Sequence, residues 1–283
     1  MRLSIIIPTL NASIYMEKLL SMLQSQDTKY FELIIIDSSS EDNTVNIARR
    51  FGAKTLVIPR HTFNHGRTRN IAATEAKGDI LIFMTQDALP LEYTLLRKLT
   101  TPLKIPDIAA TFGKHVPKAT ASPLETFARQ FNYPEKESIK GIDKIKEYGI
   151  KTFFFSNVCS AIKKDLFLKV GKFPEDISAN EDMLMAAKLI INGYKIAYIP
   201  EAKVIHSHNY SLFQQFRRYY NIGSSLKNNR WILDYTRPED EGIRLVKKQI
   251  SFVLKRHDYL WIPYIFLESV TKYAGYKMGL IKG

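Results

Sequence analysis

An α/β fold, with a doubly wound, mostly parallel sheet and a C-terminal helical extension, is what this sequence predicts, on three observations. Short apolar runs alternate with segments of helical period through the first 90 residues. The runs are continuously apolar, as in parallel strands covered on both faces. Several of them end on polar residues or a carboxylate, and in such sheets ligands bind beyond the carboxyl ends of the strands.

The elements follow in order. LSIIIPTLN (3–11) is a first buried strand, ended by Pro8. Apolar positions 15, 16, 19, 20 and 23 give 13–26 a helical period. FELIIID (31–37) is a second strand. Serines, acidic residues and a stop at Gly52 make SSSEDNTVNIARRFG a capped helix. KTLVIP (54–59) is a third strand, 66–78 a helix closed by Gly78, and DILIFMTQD (79–87) a fourth strand. Pro8, Thr9, Asn11, Asp37 and Asp87 then share one rim.

Beyond residue 90 the pattern weakens. Residues 112–150 are polar and basic with little periodicity, and a mobile connection is expected there. Residues 152–167 read as a strand running into a helix. NEDMLMAAKLIINGY (180–194) reads as a helix with Asn180 as its cap, and 195–208 as a strand ending on two histidines. Residues 243–256 place apolar side chains at 243, 246, 250 and 253 among Lys247, Lys248, Lys255 and Arg256, a basic amphipathic helix.

The chain has 41 Lys+Arg against 28 Asp+Glu, a formal net charge of +13. From Lys203 to Gly283 there are 14 basic and 6 acidic residues, so +8 of that charge lies there. Such a surface suits a phosphorylated substrate or anionic lipid, or is simply solvated. Cys159 is the one cysteine, which excludes an intrachain disulfide and fits a reducing compartment. The N-terminal apolar run is too short for a signal peptide, and no run reaches the ~18 apolar residues of a spanning helix. The GxGxxG, GxxxxGK[ST] and GxSxG motifs are absent, as is a zinc-type cysteine cluster.

Few residues remain for chemistry. Asp87, His206 and His208 are the candidate ligands for a hard divalent ion, since alternation puts both histidines on one face of a strand. Packing is the plainer role for such a histidine pair. Glu181 and Asp182 either favour the helix dipole or supply a general base. His65, Gly66, Arg67 and Arg69 open a helix, where N–H groups and guanidinium suit a diphosphate.

Taken in order, these segments resemble the family 2 glycosyltransferases, whose fold is called GT-A. SIIIPTLN opens the domain, IIIDSSSEDNT is similar to the family's second strand with its base-binding Asp, and GDILIFMTQDA stands where it has a D-x-D. NED (180–182) stands for its catalytic acidic pair, a His follows the next strand, and QFRRY (215–219) is similar to its Q-x-x-R-W. The resemblance covers about residues 3–220. It implies a catalytic domain over 1–220, with 1–90 binding the nucleotide and 91–220 the acceptor and catalytic residues, before a basic helical extension at 221–283.

It also implies inverting transfer from a nucleotide sugar. Asp37 would bond the pyrimidine, with Pro8, Thr9 and Ser39 beside it. Asp87 would hold Mg²⁺ or Mn²⁺ against the diphosphate, with His206, or else His208, as the second contact. Asp182 would be the base, Glu181 its alternative, and Arg218 and Arg69 would steady the leaving group. Here Thr85-Gln86-Asp87 stands for D-x-D, so the acid that commonly reaches the ribose is missing. That departure, with FNHGRTRN, TQDALP and HSHNYS, resembles the rhamnosyltransferase branch and implies a dTDP-rhamnose donor over a UDP-hexose. The acceptor implied is a lipid-linked glycan of a surface polysaccharide, reached from the cytoplasm at the membrane's inner face. The basic helix at 243–256 would lie on anionic lipid, pack on the catalytic domain or form a homodimer contact. A sugar nucleotidyltransferase would carry a glycine-rich basic turn in place of PTLNASIY. A lipid- or nucleic-acid-binding module would leave Asp37, Asp87 and Asp182 without a use, and no nucleic acid partner is expected.

Overall fold

The structure, a computed structural model, describes residues 1–236 and 238–283, with the side chains of 238–240 left aside. Its strands are β1 (Leu3–Thr9), β2 (Phe31–Asp37), β3 (Lys54–Val57), β4 (Ile80–Met84), β5 (Leu89–Pro90), β6 (Ile108–Val116), β7 (Ser138–Lys140), β8 (Cys159–Lys163) and β9 (Lys195–Ile205). The helices are α1 (Ser13–Gln24), α2 (Thr44–Arg50), α3 (His65–Glu75), α4 (Leu95–Thr100), α5 (Pro123–Asn132), α6 (Ile145–Tyr148), α7 (Lys164–Lys169), α8 (Glu181–Ile191), α9 (Leu212–Asn228), α10 (Pro238–Lys255) and α11 (Trp261–Lys282).

The strands join in one sheet, ordered β3-β2-β1-β4-β8-β6-β9-β5, with β7 also on β9. The first four are parallel, as expected. β8 then runs antiparallel to both β4 and β6, while β6 and β9 are parallel. The two reversals cancel, so β6 and β9 point the same way as β4. The carboxyl ends of β1, β2, β4 and β9 therefore meet on one rim.

Side chains alternate between the two faces. Ile6, Ile34, Ile36, Leu81 and Phe83 join one core cluster, and Ile5, Ile7, Leu33, Ile35, Ile82 and Met84 the other. Helices α3 and α8 cover the first face, and α1, α2 and α4 the second. Burying each such side chain is worth about 1.5–3 kcal/mol, so a strand apolar on both faces is stable only in this sandwich.

Two expectations change, and a third, left open between alternatives, narrows. Residues 112–150 are ordered: they contain the end of β6, then α5, β7 and α6. Asn180 stands at the N-cap of α8 but makes no capping bond; it takes a left-handed conformation (φ 65°), which asparagine tolerates. Three of the four apolar positions of the basic helix, 246, 250 and 253, pack inside the protein, and Ile243 is exposed. Val253 is fully buried against Leu124 and Ile265, with Val246 and Ile250 beside it.

Helices α9 and α11 run side by side in the same direction along a seam of glycines. A Cβ on Gly275 would lie 2.5 Å from the Phe216 carbonyl oxygen, and one on Gly279 2.1 Å from that of Tyr220. The four-residue spacing puts these glycines on one ridge, so the backbones touch.

Candidate active site

The rim begins at β1 and β2. Their register pairs Thr9 with Asp37, and the Thr9 hydroxyl donates to Asp37 Oδ2 at 2.8 Å. Asp37 is fully buried and also accepts from the Ser40 N–H at 2.7 Å and the Ser40 hydroxyl at 2.6 Å. It organises the turn rather than lining an opening. Ser39 (φ 57°) on that turn and Asn11 (φ 47°) on the neighbouring turn after β1 take left-handed conformations. The Ser39 hydroxyl is spent on the Ile58 carbonyl at 2.8 Å, and Asn11 Oδ1 accepts from the Glu41 N–H at 3.0 Å.

A pocket of about 330 Å³ opens beside this turn. Pro8, Thr9, His65, Arg69 and Gln86 line it, with Thr85 and Ser38. Arg60 and the exposed ring of Phe63 complete it, and neither was singled out in the sequence. Gln86 pairs its amide with the Leu10 backbone, accepting at 2.8 Å and donating at 3.2 Å. The Thr85 hydroxyl is buried with no hydrogen-bond partner among the described residues.

The N-terminus of α3 is not an open anion site. Asn64 caps it, taking the Gly66 and Arg67 N–H groups at 2.9 and 3.0 Å. Gly66 serves packing instead: a Cβ there would fall 2.0 Å from the Pro174 carbonyl oxygen. Burial, aided by the Arg69 charge and opposed by Glu181, holds the His65 imidazole below its usual range.

Arg69 and Glu181 form a buried ion pair at 3.3 Å, while Arg69 also donates to the His65 carbonyl at 2.9 Å. Asn157 donates to the same Glu181 oxygen at 3.3 Å. Glu181 is thus tied down from two sides. Asp182 is held more loosely, accepting only from the Met183 and Asn157 N–H groups at 2.8 and 3.3 Å. Burial, and then the Glu181 charge, push its carboxyl up to about 7. A carboxylate that accepts a proton near neutrality has the property of a general base.

The third group comes from β4, β5 and β9. Antiparallel pairing sets Leu89 opposite Ile205. Continued by two residues, that register puts Asp87 opposite Ser207, between His206 and His208. The imidazole Nε2 atoms lie 3.5 and 3.1 Å from the Asp87 carboxylate and 3.1 Å from each other. All three ligand atoms fall within 4.8 Å of one another. Burial would raise the Asp87 pKa, but the hydrogen bond from His208, aided by the two neighbouring imidazoles, outweighs it and holds the carboxyl well below its usual range. Burial lowers His206 to about 3, against the pull of Asp87, so its ring is neutral. One carboxylate and two imidazoles, with both ring Nε2 atoms facing one point, fit a divalent cation. Glu125 on α5 accepts the His208 N–H at 3.2 Å and so positions that ligand.

Lys118 lies 4.0 Å from Asp87, the cation nearest the cluster among the described ion pairs. Its place in the presumed connection hid it. Tyr133 and His115, stacked at 4.0 Å, fill the space behind His206. Arg218 is exposed on α9 with its guanidinium 5.4 Å from the Tyr210 ring centroid, on the side of His208.

A mixed sheet thus carries on one rim a pocket of about 330 Å³, an Asp87–His206–His208 cluster that could hold a metal ion and a carboxylate of raised pKa. Residues 4–171 match the pattern of glycosyl transferase family 2, and the chain belongs to that family. Among curated relatives it is 41% identical to the O-antigen chain rhamnosyltransferase WbaN of Salmonella anatum, over 98% of this chain and 88% of that one. It is 39% identical to the O-antigen chain rhamnosyltransferase RfbN of Salmonella typhimurium, over 99% of this chain and 90% of that one. Among solved structures, mannosyltransferase PcManGT from Pyrobaculum calidifontis, in complex with GDP-Man and Mn²⁺, shares the fold with a TM-score of 0.62 at 20% identity, over 99% of this chain and 75% of that one. Staphylococcus aureus TarS 1–349 in complex with UDP-GlcNAc does so with a TM-score of 0.63 at 17% identity, over 99% and 90%.

Proposed function

We propose that this glycosyltransferase is an inverting, metal-dependent rhamnosyltransferase. It moves L-rhamnose from dTDP-β-L-rhamnose to a hydroxyl of a lipid-linked glycan in surface polysaccharide synthesis. The observation that carries the sugar is the near full-length likeness to two O-antigen chain rhamnosyltransferases. Thr85, where a second acid would commonly contact a ribose, supports the deoxyribose donor.

In this reading residues 1–90 hold the donor, 91–220 bring the base and the histidines, and 221–283 form a helical platform. Asp37 shapes the base pocket through Thr9 and Ser40. Pro8, Thr9, His65, Gln86 and Arg69 surround the nucleotide, and Ser39, Asn11 and Gly66 set the backbone around it. Asp87, His206 and His208 would hold Mg²⁺ or Mn²⁺, which when bound would supply positive charge against the departing diphosphate. Lys118 and Arg218 add positive charge on the same side. Asp182 takes the proton from the attacking hydroxyl, while Arg69 and Asn157 hold the Glu181 side chain in place beside it. The work is done at the cytoplasmic face of the membrane that carries the acceptor.

The test is calorimetry with dTDP and UDP in the presence of Mn²⁺, followed by turnover of dTDP-rhamnose. Tighter dTDP binding, activity lost on chelation, and a drop of about 10²–10⁴-fold in Asp182→Asn are expected. Tighter UDP binding overturns the donor assignment.

A further inference from the structure

A second pocket, of about 380 Å³, lies between α5, α9, α10 and α11. It shares His208 with the Asp87 cluster and no residue with the nucleotide pocket, which shares Thr85 and Gln86 with the same rim. The two pockets therefore flank the cluster. We propose that this second pocket binds a neutral pyranose of the acceptor; this rests on the transferase reading above.

The chemistry of the wall selects the ligand. Trp261 and Tyr264, paired edge to face at 5.6 Å, and Tyr210 offer aromatic faces for the C–H side of a sugar ring. Gln249 is the decisive group. It is 3% exposed and lines the pocket, and its side-chain amide makes no hydrogen bond to a described residue. A buried amide without partners costs stability unless a ligand or water satisfies it. Sugar hydroxyls, which both donate and accept, match an amide that does the same.

An anion is a poor fit, because the charges there are already matched. Glu268 is buried and bound by Lys272 at 3.1 Å and by the Gln215 amide at 3.1 Å. Glu125 is paired with Arg129 at 2.5 Å. Lys272 is the single cation of the lining and is spent on Glu268. The volume lies within the ~300–1,000 Å³ typical of small-molecule sites.

Trp231 and Trp261 are the chain's two tryptophans, so Trp231→Phe leaves Trp261 as sole reporter. The experiment titrates that variant with methyl glycosides of galactose, glucose, mannose, rhamnose and N-acetylglucosamine, and separately with pyrophosphate. A saturable change in Trp261 fluorescence with at least one glycoside is expected, weakened about tenfold by adding Gln249→Leu, the loss of a hydrogen bond or two. Far-UV circular dichroism and the dTDP affinity confirm that the double variant is folded. No response to any glycoside, a response indifferent to Gln249→Leu in folded protein, or a response to pyrophosphate alone overturns the proposal. Because this binding needs no donor, failure of the dTDP-rhamnose assignment would appear in the turnover assay and leave this result standing.

Discussion

Asp182 shows how one residue can be tuned against the stability of its own fold. Its carboxyl, raised to about 7, holds a proton more tightly in the folded chain than in the unfolded one. Ionising it therefore costs stability. The cost is complete above pH about 7 and vanishes below the ordinary value of 3.8. Across that window it amounts to about 4 kcal/mol. Asp182→Asn should consequently lose transfer yet melt higher, with the gain in Tm larger at pH 8 than at pH 4. In the wild type, kcat/KM should fall tenfold per pH unit below about 7. A flat profile from pH 5 to 8 would remove Asp182 as the base. The residue types at this site were visible in the sequence, but their states were not. Nothing in NED tells which acid is pinned by an arginine more than a hundred positions away.

Elements were legible in proportion to how much apolar surface they carry. β1, β2 and β4 are apolar on both faces, and alternation with helices fixed their place. β6, IAATFGKHV, has no such run, and β7 is only three residues long. Their strand character comes from pairing with β9, which no local pattern announces. α5 did leave a mark: Ser122 caps the Glu125 N–H at 3.2 Å, and S-P-L-E is a readable start. The reversal at β8 was equally invisible, yet it is what returns His206 to Asp87. The glycine seam is the element-scale feature most open to test. Gly279→Ala drives a methyl into the Tyr220 carbonyl, so α9 and α11 must separate. A loss of about 1–3 kcal/mol in denaturant unfolding is expected. Gly242→Ala, with nothing within 4 Å of the added carbon, serves as the control and should not destabilise.

At the scale of the whole molecule, the outer side of α11 stands out. Leu260, Phe266, Leu267, Val270, Tyr273 and Ile281 are each at least half exposed, at helical spacing along one face. No described helix is long and apolar enough to cross a membrane, so such a stripe suits an interface. The net charge of +13 opposes pairing with a second copy and favours an anionic lipid surface. For the helix at 243–256 the sequence left lipid, packing and a dimer contact open; its positions 246, 250 and 253 pack inside the protein, and the longer exposed stripe belongs to the next helix. Flotation with vesicles containing anionic lipid should recover the protein at low salt. Val270→Glu with Phe266→Glu should abolish recovery while leaving dTDP binding intact. Flotation of the double variant, or none of the wild type, would end this role for α11.

The chain's one thiol, Cys159, is fully buried on β8, opposite Met84, and burial pushes it up to about 12. At physiological pH it is neither a nucleophile nor easily oxidised. The transferase should therefore be indifferent to the redox poise around it: iodoacetamide or mild peroxide leaves its turnover unchanged. Any cysteine placed on the α11 stripe becomes the sole reactive handle in the folded protein. A fluorophore there can report contact with lipid against a chemically silent background.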